Sequence, residues 1–191
     1  MTAYFLICLS WTLFGAFHSI TATNWFKNLC FRYVPHCYYR LLYNGLALFT
    51  FIPVVQTLRL APAEPIGDWI GSVWIGGYLL AVGAFISFIA LRKYDLAEFI
   101  GWPVDHQTAA HNQLQQSGLF GYVRHPLYLG ALVGLAGLIA LQPYWKHILF
   151  SLAAFGYIRI GIFYEERKLI ATFGRQYLQY QQRVPMLVPT F

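Results

Sequence analysis

The run Asp68–Leu91, DWIGSVWIGGYLLAVGAFISFIAL, carries one charge, Asp68, in 24 residues. A helix needs about 20 consecutive apolar residues to cross a bilayer, and this run supplies them without a break. Four more apolar runs lie on either side of it. Upstream are Ala3–Ala22 and Tyr39–Leu60, the second containing Pro53, which predicts a kink. Downstream are Pro126–Gln142 and, after the turn Gln142-Pro143-Tyr144, Trp145–Tyr164. The expected fold is all-α: a polytopic membrane protein of five transmembrane helices, residues 1–191 forming a single domain.

Composition agrees. Hydrophobic residues make up 58% and charged residues 10% of the 191, and mean hydropathy is +0.50. An ordinary soluble domain is about 25% charged, so this chain lacks the polar surface a soluble enzyme needs. A disordered chain, low in hydrophobicity and high in net charge, is excluded as well. The net charge of +6 is spread over positions flanking the spans, which sets topology and does not indicate nucleic-acid binding. Eleven of the 13 Lys and Arg residues fall on one side of the five spans, leaving Arg59 and Lys146 on the other. The positive-inside rule then places Met1 outside and Phe191 in the cytoplasm. The start, Met1-Thr2-Ala3-Tyr4, has no basic region before its apolar run, so the first helix reads as retained, not as a signal peptide. Cys8, Cys30 and Cys37 form no CxxC pair, and no disulfide framework or zinc ribbon is expected.

The chemistry-bearing residues gather on the cytoplasmic side. In Gly121-Tyr-Val-Arg124-His125-Pro126-Leu-Tyr128-Leu-Gly130, Pro126 suits the first position of a helix, where its missing N–H has no partner to lose. His125 is thereby held out of the helix, beside its unpaired N–H groups. With Arg124 adjacent, this end of the fourth span suits a carboxylate or phosphate. Glu165 and Glu166 stand where the fifth span leaves the bilayer. That helix end carries the negative pole and suits a cation. A zwitterionic ligand with a sulfonium would suit both poles, and S-adenosylmethionine is such a molecule.

These residues resemble the integral-membrane methyltransferases, which include isoprenylcysteine carboxyl methyltransferases and phospholipid N-methyltransferases. The resemblance is carried by Gly121, Arg124, His125, Pro126, Tyr128 and Gly130, and then by Glu165, Glu166, Leu169, Phe173, Gly174, Tyr177, Tyr180, Val184, Pro185 and Pro189. Tyr94–Gly101 and Leu114–Gly118 extend it upstream. In the N-terminal half, Phe17-His18-Ser19, Lys27 and Tyr39–Asn44 look like NnrU-type and methanethiol S-methyltransferase-like proteins. NnrU-type chains often lack the Glu-Glu pair that this one keeps. The resemblance implies a cofactor-binding part over about 92–191 that takes S-adenosylmethionine. His125, Tyr128 and Glu166 are its foremost ligands, Glu165, Arg124 and Gly130 come next, and Phe120, Tyr122 and Tyr177 are candidate adenine neighbours. It further implies methyl transfer to a lipophilic or small acceptor, a thiol or a prenylcysteine carboxylate, arriving from the membrane lipids. His18, Arg40 and Asn44 are the acceptor-side candidates; no residue is singled out as a catalytic base.

Plainer readings stand beside these. Arg124 could anchor a span to headgroups. Glu165 or Glu166 could pair with Arg159, since adjacent helix positions face about 100° apart. His18 could make a helix–helix hydrogen bond. Neither His106/His111 nor Cys30/His36/Cys37 has the spacing of a metal site. Gly130-xxx-Gly134 and Ser72-xxx-Gly76 imply close helix packing, within the chain or in a homodimer. A non-enzymatic membrane binding or assembly module of NnrU type is the rival class, and an NADPH-dependent use of a related fold ranks below it. No Walker A or GlyxGlyxxGly sequence is present.

Overall fold

The structure is a computed structural model that describes residues 2–67, 69, 71–102 and 114–189. His106, His111 and both chain ends, Met1 and Phe191, lie outside the described residues. The helices are α1 (Thr2–Ala22), α2 (Asn24–Cys30), α3 (His36–Leu60), α4 (Val73–Leu91), α5 (Leu96–Ile100), α6 (Pro126–Leu141), α7 (Trp145–Phe173) and α8 (Arg175–Arg183), with a 3-10 turn at Gly118–Gly121. Among the described residues there is no strand, and an isolated antiparallel bridge joins Pro65 to Tyr144.

Local chemistry sets the helix boundaries. The Thr23 hydroxyl accepts from the Phe26 N–H and caps α2, and Ser72 does the same for α4 through Ile75. Such caps satisfy N–H groups that the first turn leaves without partners. Pro126 opens α6 from a His125 N-cap. Gly174, at φ +54°, turns the chain from α7 into α8, a conformation that glycine adopts without strain.

Among the described residues four helices, α1, α3, α4 and α7, are long and apolar enough to cross a membrane. The sequence predicts a fifth span over Pro126–Gln142, but α6 has 16 residues, about 24 Å at 1.5 Å per residue against a core of about 30 Å. It begins at Pro126 and gives way at Gln142-Pro143, so prolines bound its length on both sides. Conversely, α7 runs past the expected limit at Tyr164 to Phe173. Glu165 and Glu166 therefore lie inside a continuous helix.

Two seams hold the bundle. Between α4 and α6 the backbones touch: a Cβ on Gly83 would lie 2.5 Å from the Gly130 carbonyl oxygen, and one on Gly130 would lie 2.3 Å from Ser87 Oγ. Gly76 and Gly137 are equally crowded, by Leu141 and Leu80. In lipid no hydrophobic effect drives helices together, so close packing through small residues takes its place. The small-residue spacings read from the sequence are thus used within the chain. Aromatic packing joins α1, α3 and α7: Trp11 meets Phe150 at 5.2 Å and Phe51 at 5.7 Å between ring centroids, both edge-on. Beside it, the Ser10 and Thr57 hydroxyls share a 3.0 Å hydrogen bond between α1 and α3.

The connections sort to two ends. The α3–α4 loop is tied to the α6–α7 turn by Ile66 N–H to the Pro143 carbonyl (2.9 Å), Trp145 N–H to the Glu64 carbonyl (3.0 Å) and Lys146 Nζ to the Ala61 carbonyl (3.1 Å). At the opposite end α5, the 3-10 turn and α8 come together. There Tyr177, Tyr180 and Val184 pack on Leu114, Leu169, Ile170 and Phe173.

Candidate active site

The second end holds the sequence-predicted cluster. α6 and α7 form an antiparallel hairpin, so the start of α6 returns beside residues 165–166 of α7. His125 is 5% exposed, and its Nε2 lies 3.2 Å from Glu166 Oε1. Arg124 donates to the same oxygen through Nε and a terminal nitrogen, each at 2.8 Å. Its other terminal nitrogen donates to the carbonyls of Val184 (2.6 Å) and Gln181 (3.2 Å). The backbone N–H groups of Arg124 and His125 donate to Pro185 (2.9 Å) and Met186 (3.2 Å). The tail after α8 is thereby laced to the mouth of α6.

Glu166 is fully engaged by the chain. Besides Arg124 and His125, Tyr177 donates to Oε1 at 3.3 Å and the Gln181 amide to Oε2 at 3.0 Å. Arg159, the alternative partner weighed from sequence, instead donates to the Met186 sulfur. Burial first, and then the carboxylate of Glu166, raise the pKa of Tyr177. The hydroxyl of Tyr180 donates to the Phe120 carbonyl at 2.6 Å.

Glu165 stands apart from this lattice. Its side chain is 40% exposed, and Oε2 lies 3.8 Å from His125 Nδ1. The Tyr128 ring lies 5.7 Å from that of His125, and its hydroxyl is close enough to the Glu165 carboxylate to interact with it electrostatically. Tyr94, just beyond α4, also feels this carboxylate: desolvation and then Glu165 push its phenol up to about 12. An open carboxylate flanked by an imidazole and two phenols is a donor set for an ammonium or a sulfonium group.

The remaining candidates are placed as follows. Gly130 is buried against Gly83 and Ser87 of α4. Phe120 is buried edge-on to Tyr94, and Tyr122 is exposed. Asn44 donates its amide to the Phe99 (3.0 Å) and Ile100 (2.8 Å) carbonyls, fastening the end of α5 to α3. Gly101, at φ +91°, continues that contact; a Cβ there would lie 2.4 Å from Leu41 N. Arg40 lies one turn before Asn44 and, with Lys168 and after desolvation, lowers the pKa of Lys27. His18 Nε2 hydrogen-bonds the Tyr43 hydroxyl across α1 and α3. Sequence reasoning did not find Tyr43, Tyr157, Gln181 or the Val184–Met186 backbone as parts of this region. Tyr43 lay within Tyr39–Asn44, and Val184 and Pro185 within the resembling motif, but neither reading gave them these partners.

A polytopic helical bundle with this carboxylate pair against a His-Pro helix start has the layout expected of an integral-membrane methyltransferase. The family model described as phospholipid methyltransferase matches residues 72–176, and the chain belongs to that family and is a methyltransferase. A methanethiol S-methyltransferase of Bradyrhizobium diazoefficiens is 32% identical over 93% of this chain and 70% of its own length. A methanethiol S-methyltransferase of Mycobacterium tuberculosis is 30% identical over 93% and 74%. A protein-S-isoprenylcysteine O-methyltransferase of Arabidopsis thaliana is 38% identical over 41% of each chain. No solved structure matches.

Proposed function

We propose that the protein transfers a methyl group from S-adenosylmethionine to a small thiol that reaches it through the membrane. The observation that carries this reading is the contrast within the carboxylate pair: Glu166 has both oxygens engaged by the chain, whereas Glu165 stays open between His125 and Tyr128. Glu165, His125 and Tyr128 would hold the cationic and polar atoms of the donor. Arg124 and Glu166 would fix the wall behind them, and Gly130 would set the depth of α6. Once bound, the donor supplies a sulfonium-activated methyl group. The protein's part is to orient the acceptor and exclude water.

The thiol reading is supported by likeness to methanethiol S-methyltransferases over 93% of this chain, whereas the isoprenylcysteine relative matches 41% of it. A groove of about 560 Å³ between α1 and α3, lined by Leu9, Leu13, Phe14, Phe17, Phe49 and Pro53 among others, offers an apolar acceptor a lateral path. His18 lies one turn beyond Phe14 on the same helix, and Arg40 and Asn44 lie toward the site end of α3. We read residues 1–191 as one domain crossing the membrane five times, with Met1 outside, Phe191 inside, and the cofactor-binding part of about 92–191 meeting the cytoplasm through the segment 92–125 and the tail after Tyr164. α6 then counts as a crossing because it pairs with α7 from the Gln142 turn to the His125–Glu166 contact. The non-enzymatic rival is not favoured by the relatives found. The glycine seam is used inside the chain, and we propose no dimer.

Isothermal titration with S-adenosylmethionine tests the site. Replacing Glu165 by Gln removes a charge-assisted contact, commonly worth about 1.5–3 kcal/mol, and is expected to weaken binding about tenfold to a hundredfold. Wild-type affinity in Glu165→Gln would overturn the assignment. Methyl transfer to methanethiol, a prenylcysteine and phosphatidylethanolamine, assayed side by side, decides the acceptor.

A further inference from the structure

Arg159 is a charge at membrane depth for which the bundle supplies no counter-charge. It lies in α7, 13 residues after Lys146 and 6 before Glu165, and no other Asp, Glu, Lys or Arg falls between those two. At 1.5 Å per residue it is about 20 Å from Lys146 and about 9 Å from Glu165. Within a hydrocarbon core of about 30 Å it therefore sits in the half nearer the site. A guanidinium at that depth is costly, and such groups usually face the bundle interior and pair there. Arg159 is exposed instead. Among the described residues its side chain has one partner, the Met186 sulfur, and a thioether is a weak acceptor.

A second arginine is turned toward the same level. Phe155, Arg159, Phe163 and Arg167 follow one another at four-residue intervals along α7, so they form one stripe. All four are exposed. The Arg167 guanidinium carbon lies 5.5 Å from the centre of the Phe163 ring. It is thus drawn back along the helix toward Arg159, the direction in which helical side chains lean. Among the described residues neither arginine forms an ion pair with a carboxylate. Deeper along α7 the exposed surface is apolar, through Phe155 and Leu152.

We propose that Arg159 and Arg167 hold the phosphate of an anionic phospholipid from the leaflet at the site end, with an acyl chain of that lipid lying along Phe155 and Leu152. The chemistry selects this occupant. A guanidinium takes phosphate through two parallel N–H bonds, and the single sulfur contact of Arg159 leaves it donors to spare. Two positive charges ask for a net negative headgroup, whereas a zwitterionic one brings a cation of its own. A soluble anion would match the arginines but not the phenylalanine and leucine beneath them; a lipid matches both. Arg159 starts below headgroup level and reaches it along its flexible stem. Arg167, about 12 Å further along the axis, meets the same phosphate from the surface side. In the orientation proposed above this is the cytoplasmic leaflet, whose surface carries the anionic lipids.

The test is lipid binding to the full chain, delipidated in detergent and read by native mass spectrometry. Wild type should bind phosphatidylglycerol about tenfold more tightly than phosphatidylcholine of the same chain length. Arg159→Gln should lose about tenfold in phosphatidylglycerol affinity, as for a charge-assisted contact, with phosphatidylcholine unchanged. Arg167→Gln should also lose affinity, by a smaller factor. Arg175→Gln, which removes an exposed arginine of α8 off the stripe, should bind as wild type does. Equal affinity of wild type for the two lipids, wild-type affinity in Arg159→Gln, or an equal loss in Arg175→Gln would overturn the site. Displacement of phosphatidylglycerol by an equal concentration of inorganic phosphate would assign the arginines to a soluble anion and overturn the lipid.

Discussion

Replacing Arg124 by Ala should release the tail of the protein before it unfolds anything else. The guanidinium makes two 2.8 Å contacts to Glu166 and reaches the Val184 and Gln181 carbonyls at 2.6 and 3.2 Å. The two side chains are only 9% and 13% exposed, so solvent cannot take over the lost contacts. Removing one partner of a buried pair costs about 3–5 kcal/mol, because the other charge stays behind. At 1.4 kcal/mol per tenfold, this is about two to three and a half decades in the opening equilibrium of the tail. Hydrogen exchange read by mass spectrometry in nanodiscs should show faster exchange of that size over residues 175–186, with the α4–α6 seam unchanged. Arg124→Lys keeps the charge but not the planar fork and should fall between. In the double variant Arg124→Ala/Glu166→Ala the loss should be smaller than the sum of the two single losses, by about 0.5–3 kcal/mol. Wild-type exchange in the tail of Arg124→Ala, or acceleration spread evenly over α4 and α6, would refute the clamp.

Gly130→Val drives side-chain atoms into Ser87 and the Gly83 carbonyl; overpacking of this kind costs about 1–3 kcal/mol, and a lowered thermal midpoint in detergent is expected. Single-cysteine labelling in sealed vesicles should find residues 92–102 and 175–183 on one side and residues 62–67 on the other. Labelling of all three segments from the same side would reject the topology.

The helices and the motif were legible because their signals are local. The apolar run that ends at Leu91 and a Pro126 at a helix start state their meaning within a few residues, whereas the Glu165-Glu166 pair, expected where the fifth span ends, lies inside α7. The partnerships were not legible, because they join residues 41 to 60 positions apart: Arg124 with Glu166 and Val184, His125 with Glu166. Read alone, Arg124 offered its charge to a ligand or a headgroup; in the fold that charge is matched by Glu166 and the tail carbonyls. The preference for Glu166 over Glu165 as the ligand's partner rested on motif order. Which carboxylate stays open depends on α8 delivering Tyr177 and Gln181, about which neither acid's neighbours in sequence say anything. His18 illustrates the same limit: its bond to Tyr43 crosses two helices and leaves no periodic trace.

The lacing of the tail to the mouth of α6 also sets a timetable for biogenesis. Arg124 is synthesised 60 residues before the Val184 carbonyl that its guanidinium grips. At about 5–20 residues per second, Arg124 waits about 3–12 s for the Val184 carbonyl, and once Glu166 has been added, 18 residues before Val184, the arginine and both carboxylates wait about 1–4 s with their last acceptors still unmade. During that interval the hairpin has its glycine seam to α4 but not its tail clamp. The clamp on the site thus forms only after α4 and α6, the helices it braces, have been synthesised.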